Sequence, residues 1–169
     1  MTSGAPIILT ATMGAADFAW ADALRRRHFP AARNQVPAHI TLFHQLPPFV
    51  EGELRTLMKQ LGGERAPAAH LSGLLNLGEG VAYRVESPEL IDIRAMIAER
   101  FFGLLTTQDG GAPRLHITVQ NKAKPAVAKA LLAELSADFQ PRAIVIAGLS
   151  AWRYLGGPWE PIADVRFRG

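Results

Sequence analysis

Apolar positions recur along this chain with two periods, one suited to strands and one to helices. Residues 7–13 are apolar and β-branched, which predicts a strand. Residues 15–29 read as a helix with Phe18, Ala21 and Leu24 on one side and Pro30 as its stop. A second strand is predicted over 38–46, between Pro37 and Pro47-Pro48. Over 51–61, Leu54, Leu57, Met58 and Leu61 keep helical spacing until Gly62-Gly63 ends the run. Strands over 70–77 and 81–86 follow, joined by a Gly-Glu-Gly turn. Ser87-Pro88 then caps a helix predicted through 105, with Leu90, Ile93, Ile97, Phe101 and Leu104 facing inward. The stretch 108–113 is the strongest break. Beyond it come a strand over 114–121, a helix from Pro125 to about 139, and strands over 143–154 and 162–167.

The two halves, roughly 15–87 and 88–169, share one order: helix, strand, helix, strand, strand. Ser72-Gly73-Leu74 is echoed by Ala147-Gly148-Leu149. The pattern predicts one bilobal α+β domain over 1–169, built by duplication around a pseudo-twofold axis. A groove between the lobes is where ligands commonly bind.

One phrase makes the duplication chemical. His39-Ile40-Thr41-Leu42 returns 77 positions later as His116-Ile117-Thr118-Val119. Along a strand, positions i and i+2 share a face. Each copy therefore offers a His/Thr edge on one side and an apolar edge to the core. A threonine two places after a given histidine arises by accident about once in twenty. Two accidents among five histidines, with the same isoleucine between, would be rare.

Composition narrows the class. With 49% apolar and 20% charged residues, the chain suits a globular protein with a real core. It has no cysteine, which excludes disulfides, thiolate metal sites and a cysteine nucleophile. No stretch is long enough to cross a bilayer, and the apolar run 5–13 has no Lys or Arg before it, so a cytoplasmic, monomeric protein is expected. The net charge of +3 is modest, but its placement matters. Arg25-Arg26-Arg27 and Arg33 precede the first motif, and Arg114, Lys122 and Lys124 flank the second. The arginine run reads equally as a helix C-terminus or as a rim that attracts phosphate.

Cleaving a phosphodiester in line needs a base on the entering oxygen and an acid on the leaving one. Two histidines suit both jobs, since an ordinary imidazole titrates near 6.5. Thr41 and Thr118 can donate to the non-bridging oxygens, where charge builds. No metal or other cofactor is needed. A His/His pair predicts a bell-shaped pH profile with limbs in the neutral range. By strand parity Phe43 joins the His39 face, and Arg114 and Gln120 join the His116 face. Arg114 is a candidate for phosphate and Phe43 for stacking on a base. Tyr83, Trp152 and Tyr154 are candidates for a base-stacking wall, each with a structural role as the alternative. His28, His44 and His70 lack a threonine at +2 and read as structural.

These two motifs, their spacing and the duplicated order resemble the two-histidine phosphoesterase superfamily. Its bacterial 2′-5′ RNA ligase-like and RNA 2′,3′-cyclic phosphodiesterase branch is similar in length and layout. The resemblance implies an α+β fold of antiparallel sheets lining a central groove, with helices packed outside. It implies hydrolysis of 2′,3′-cyclic phosphate ends of RNA or nucleotides to 2′-phosphates. It gives His39 and His116 catalytic roles and Thr41 and Thr118 phosphate-holding roles. By the same analogy His116 is the base and His39 the acid, although the pseudo-symmetry leaves that assignment open. The alternatives are 2′-5′ ligation, the same chemistry reversed, and a nucleotide-binding module without turnover. The chain departs from the pattern after each motif. Phe43-His44-Gln45-Leu46-Pro47 replaces the usual Leu-Gly pair, and Gln120-Asn121-Lys122 lacks a frequent arginine.

Overall fold

The computed structural model describes residues 4–169. Seven strands and five helices follow the predicted order. They are β1 (Ile7–Met13), α1 (Ala15–His28), β2 (Ile40–Leu46), α2 (Glu51–Gly62), β3 (Ala68–Asn76), β4 (Val81–Glu86) and α3 (Pro88–Arg100). Then come a single helical turn α4 (Thr107–Gly110), β5 (His116–Gln120), α5 (Pro125–Ala137), β6 (Arg142–Tyr154) and β7 (Trp159–Arg166). No helix is long and apolar enough to cross a membrane among the described residues.

The caps work as the residue types dictate. Ser87 accepts a hydrogen bond from the Leu90 amide at 3.1 Å, and Pro88 occupies the first turn of α3. That helix stops at Arg100, five residues before the predicted end. The chain from Thr106 is instead drawn into α4, whose Asp109 docks on β2. The break at 108–113 is therefore partly helical.

All strand pairing is antiparallel, in the order β2-β1-β6-β3-β4-β5, with β7 also on β6. The 13-residue β6 is the spine. Arg142–Val145 pairs with β3, while the stretch from Ile146 onward pairs with β1 and β7. The strands thus do not stay within their sequence halves: β3 and β4 lie on the side of β5, and β6 and β7 extend the sheet of β2. One continuous core, from Leu9 and Phe43 to Ile97 and Ile117, joins both sides.

A register shift between Thr12 and Met13 marks the place where β6 passes from one sheet to the other, beside Gly148. A Cβ at Gly148 would stand 2.0 Å from the Val165 carbonyl oxygen, whereas at Gly73, its echo in β3, it would meet nothing within 4 Å. Gly148→Ala is expected to cost about 1–3 kcal/mol by overpacking. Gly73→Ala should be nearly silent. Chemical denaturation of the two variants checks the contrast.

Candidate active site

The motif strands β2 and β5 end the strand path at opposite extremes, and the path curls so that they approach each other. His39 stands immediately before β2, and His116 opens β5. Their rings are presented identically. Nδ1 of His39 lies 2.8 Å from the Pro37 carbonyl oxygen, and Nδ1 of His116 lies 2.7 Å from that of Arg114. A carbonyl can only accept, so Nδ1 carries the hydrogen and Nε2 remains as the reactive nitrogen. The acceptor is residue i−2 both times. The device is local and duplicated with the motif.

Both strands also bulge at the same motif position. Thr41 pairs with Thr10 and Phe43 with Leu9, so Leu42 is the extra residue. Thr118 pairs with Ala82 and Gln120 with Val81, which makes Val119 its counterpart. A bulge shifts the side-chain alternation by one. Phe43 therefore turns into the core, fully buried beneath the Arg94 guanidinium, and is not on the His39 face. Gln120 is buried too, donating to the His28 carbonyl at 3.4 Å, and is not on the His116 face. His44, two past the bulge, emerges on the Thr41 side.

Two cavities flank the motif edges. One of about 560 Å³ has His39 at its rim, with Phe18, Trp152 and Trp159 among its walls. The Trp159 ring sits edge-on to His39 with centroids 4.7 Å apart. Its floor is a polar row set by register: Thr10 on β1, Ser150 on β6 and Asp164 on β7, in line with Thr41 on β2. Trp152 Nε1 donates to Thr10 Oγ1 at 3.0 Å, and Ser150 Oγ to Asp164 at 2.5 Å. The other cavity, about 310 Å³, brings Thr41 of the first motif together with His116 of the second, along with His44 and Arg114. Thr118 is half-buried and lines neither. Tyr154 is exposed and lines neither, although register places it opposite Trp159. Tyr83 is buried against Trp20, a structural role.

Two buried arginines hold the motif edges across the gap. Arg25 of α1 donates to Asn34 Oδ1 and to the Val36 carbonyl, both at 2.8 Å, and to the Thr118 carbonyl at 3.0 Å. A single guanidinium thus ties the loop before His39 to the strand that carries His116. Arg94 of α3 does the reciprocal job, donating to the Leu42 carbonyl at 3.1 Å and to the Asp109 carbonyl. Each helix precedes one motif in sequence and grips the strand of the other. Arg25 is therefore not a phosphate rim. Arg26, which pairs with Asp22 at 3.6 Å, is on the surface.

Burial pushes the pKa of His39 down to about 4. The Pro37 carbonyl bond opposes the shift, while the positive charges of Arg25, His116 and His44 reinforce it. His39 is thus within electrostatic reach of His116. Its ring is therefore neutral at physiological pH.

Sequence reading overlooked Trp159, Arg94, Asp109 and Asp164 and set His44 aside. Trp159 lies before the predicted start of its strand. Arg94 and Asp109 sit on α3 and in the break, where only tertiary contact shows what they hold.

Comparison with curated proteins by sequence gives no match. Solved structures share the fold at low identity. TT0787 of Thermus thermophilus is 15% identical, with a TM-score of 0.62 over 97% of this chain and 98% of that one. Apo LigT of E. coli is 18% identical, with a TM-score of 0.54 over 98% of each chain. LigT complexed with NADP+ is 13% identical, with a TM-score of 0.56 over 98% of this chain and 99% of that one. A family model described as the 2′-5′ RNA ligase superfamily matches residues 14–158, a span holding both His-x-Thr motifs and the two arginines that cross between them. With the duplicated motifs and the shared fold, that match means the chain belongs to the 2′-5′ RNA ligase superfamily, among the two-histidine phosphoesterases.

Proposed function

We propose that this protein hydrolyses 2′,3′-cyclic phosphate ends of RNA or nucleotides to 2′-phosphates. The observation that carries the reading is the matched presentation of two Nε2 atoms at the heads of neighbouring motif strands, each fixed by its own i−2 carbonyl, with the charge of His116 felt at His39. A phosphorus atom between them has a proton acceptor on one side and a donor on the other. Thr41 and Thr118, two residues after each histidine, are the hydroxyls this reading assigns to its oxygens. Water attacks phosphorus while giving a proton to one imidazole. The bond from phosphorus to the 3′ oxygen breaks, and that oxygen takes a proton from the other imidazole.

His39 is the base and His116 the acid, the reverse of the analogy. A ring whose pKa lies near 4 is unprotonated at pH 7 and ready to accept. The cavity beside it fits the nucleoside, with Trp152 and Trp159 offering faces to a base. E. coli LigT, of the same fold, is solved with 3′-AMP and with NADP+, which supports a nucleotide as ligand.

Phosphorus NMR of a 2′,3′-cyclic mononucleotide, with EDTA present, tests turnover and regiochemistry together. A single 2′-monoester product supports the reading. Ligation instead predicts a joined product when a second RNA bearing a free 5′-hydroxyl is supplied. Binding of the nucleotide without any product would make the protein a binding module.

The pH profile follows from the same geometry. Below the pKa of His39 the base is occupied by a proton and kcat/KM falls. The acid limb should therefore lie well under the 6.5 of an ordinary histidine, towards 4. An acid limb at or above 6.5 would place the base elsewhere.

A further inference from the structure

We infer that His44 and Arg114 form an anion subsite beside His116, oriented by Asp109, which takes the phosphate on the 5′ oxygen of the ribose being processed. This deepens the proposed function and rests on it. Asp109 is almost fully buried and both of its carboxylate oxygens are engaged. Oδ1 accepts from the His44 amide at 2.8 Å and from His44 Nδ1 at 3.2 Å, while Oδ2 accepts from the Gln45 amide at 2.8 Å. Burial would raise the pKa of this carboxyl, but those three hydrogen bonds outweigh it and hold it low. An ionised acceptor fixes Nδ1–H of His44, and in the imidazolium form that pairs with it Nε2–H is left to donate into the cavity. The ring is 45% exposed there.

The lining suits an anion. His44, His116 and Arg114 share the cavity with Thr41 and Gln108, and among the described residues Arg114 has no ion-pair partner. No Phe, Tyr or Trp among the described residues lines it, in contrast to the tryptophan-walled cavity on the His39 side. His44 is three residues beyond Thr41, a separation that the bulge at Leu42 shortens to about 7 Å along the strand. That offset from Thr41 suits a second phosphate on the same ribose. The pseudo-symmetry is broken here. Asn121, the counterpart of His44 after the second bulge, bonds only to the next amide in the chain. A substrate with base, cyclic phosphate and 5′-phosphate therefore fits in one direction.

Three substrates test this: a nucleoside 2′,3′-cyclic phosphate, the same compound with a 5′-phosphate, and a dinucleotide ending in the cyclic phosphate. The native protein should favour the 5′-phosphorylated compound, the dinucleotide or both by tenfold or more in kcat/KM. H44N should erase that preference through KM, its loss falling on the substrates that carry the 5′ phosphate. The backbone bond from residue 44 to Asp109 survives the substitution, so the fold is kept. Preference for the monoester alone identifies a mononucleotide, and preference for the dinucleotide identifies an RNA chain. No preference in the native protein, or an equal loss by H44N on all three, overturns the subsite. Should nothing be turned over, the proposed reaction fails. The subsite is then read by calorimetry with a nucleoside 2′,5′-bisphosphate against a 2′-monophosphate, where equal affinities, or an affinity gap that H44N leaves intact, overturn it.

Discussion

Replacing His39 or His116 by alanine is expected to slow cyclic-phosphate opening by about 10²- to 10⁴-fold, the range lost with a positioned acid or base. Neither ring is a core side chain. Each is half-buried, and each makes one hydrogen bond, to the carbonyl two residues before it. Folding stability should therefore fall by about 1 kcal/mol, the worth of one hydrogen bond and part of a packed ring, far less than the effect on rate. The double variant should be about as slow as either single one, because acid and base act in one step. Thermal unfolding beside the rate assay separates chemistry from folding. A single variant that keeps native turnover would remove that histidine from the mechanism.

The second large effect concerns the arginines that cross the gap. In Arg25→Met, three oxygens lose their donor: Asn34 Oδ1 and the carbonyls of Val36 and Thr118. A buried acceptor left unpaired costs about 1–3 kcal/mol, and water entering a loosened loop recovers part of it. A net loss of about 3 kcal/mol is expected. Turnover should fall by about 100-fold even in the fraction that stays folded, since a shift of about 1 Å between the reacting groups has that effect. The pH profile discriminates further. The charge of Arg25 helps to lower the pKa of His39, so its removal lets protonated His39 form at higher pH and moves the acid limb upward. Arg25→Lys restores the charge and hence the limb, yet a single ammonium cannot reproduce the guanidinium fork, so kcat stays low. Arg94→Met should behave alike in stability and rate, through the Leu42 and Asp109 carbonyls. Because both arginines close the same gap, their effects should not add. Additive losses would mean that they act separately.

The order of elements was legible because each has its own period and its own stop. Leu54, Leu57, Met58 and Leu61 point inward from α2, as their spacing predicts, and Pro30 and Gly62 sit where helices end. The boundaries that failed lie where tertiary contact competes with local preference. Helix α3 stops early because the chain turns at Gly103, with φ 85°, on its way to α4, where Asp109 bonds the β2 amides. Strand β7 begins at Trp159 rather than 162 because Tyr154 offers it a partner across the turn.

The repeat that makes His39, Thr41, His116 and Thr118 candidates is legible in the chain alone, since a duplicated tetrapeptide is a local pattern. The carbonyl two residues before each histidine is equally local, and it settles which ring nitrogen stays free. Three-dimensional packing decided the rest. Strand parity is a strictly alternating rule, and one inserted residue at Leu42 and at Val119 reverses it, which buried Phe43 and Gln120 and brought out His44. Whether a strand bulges depends on its partner in the sheet, and that partner lies far away in the chain. The gap between the motif strands is likewise set by Arg25 and Arg94 reaching carbonyls 93 and 52 residues distant. Periodicity encodes which face a side chain takes, but only the closed sheet determines what stands opposite it.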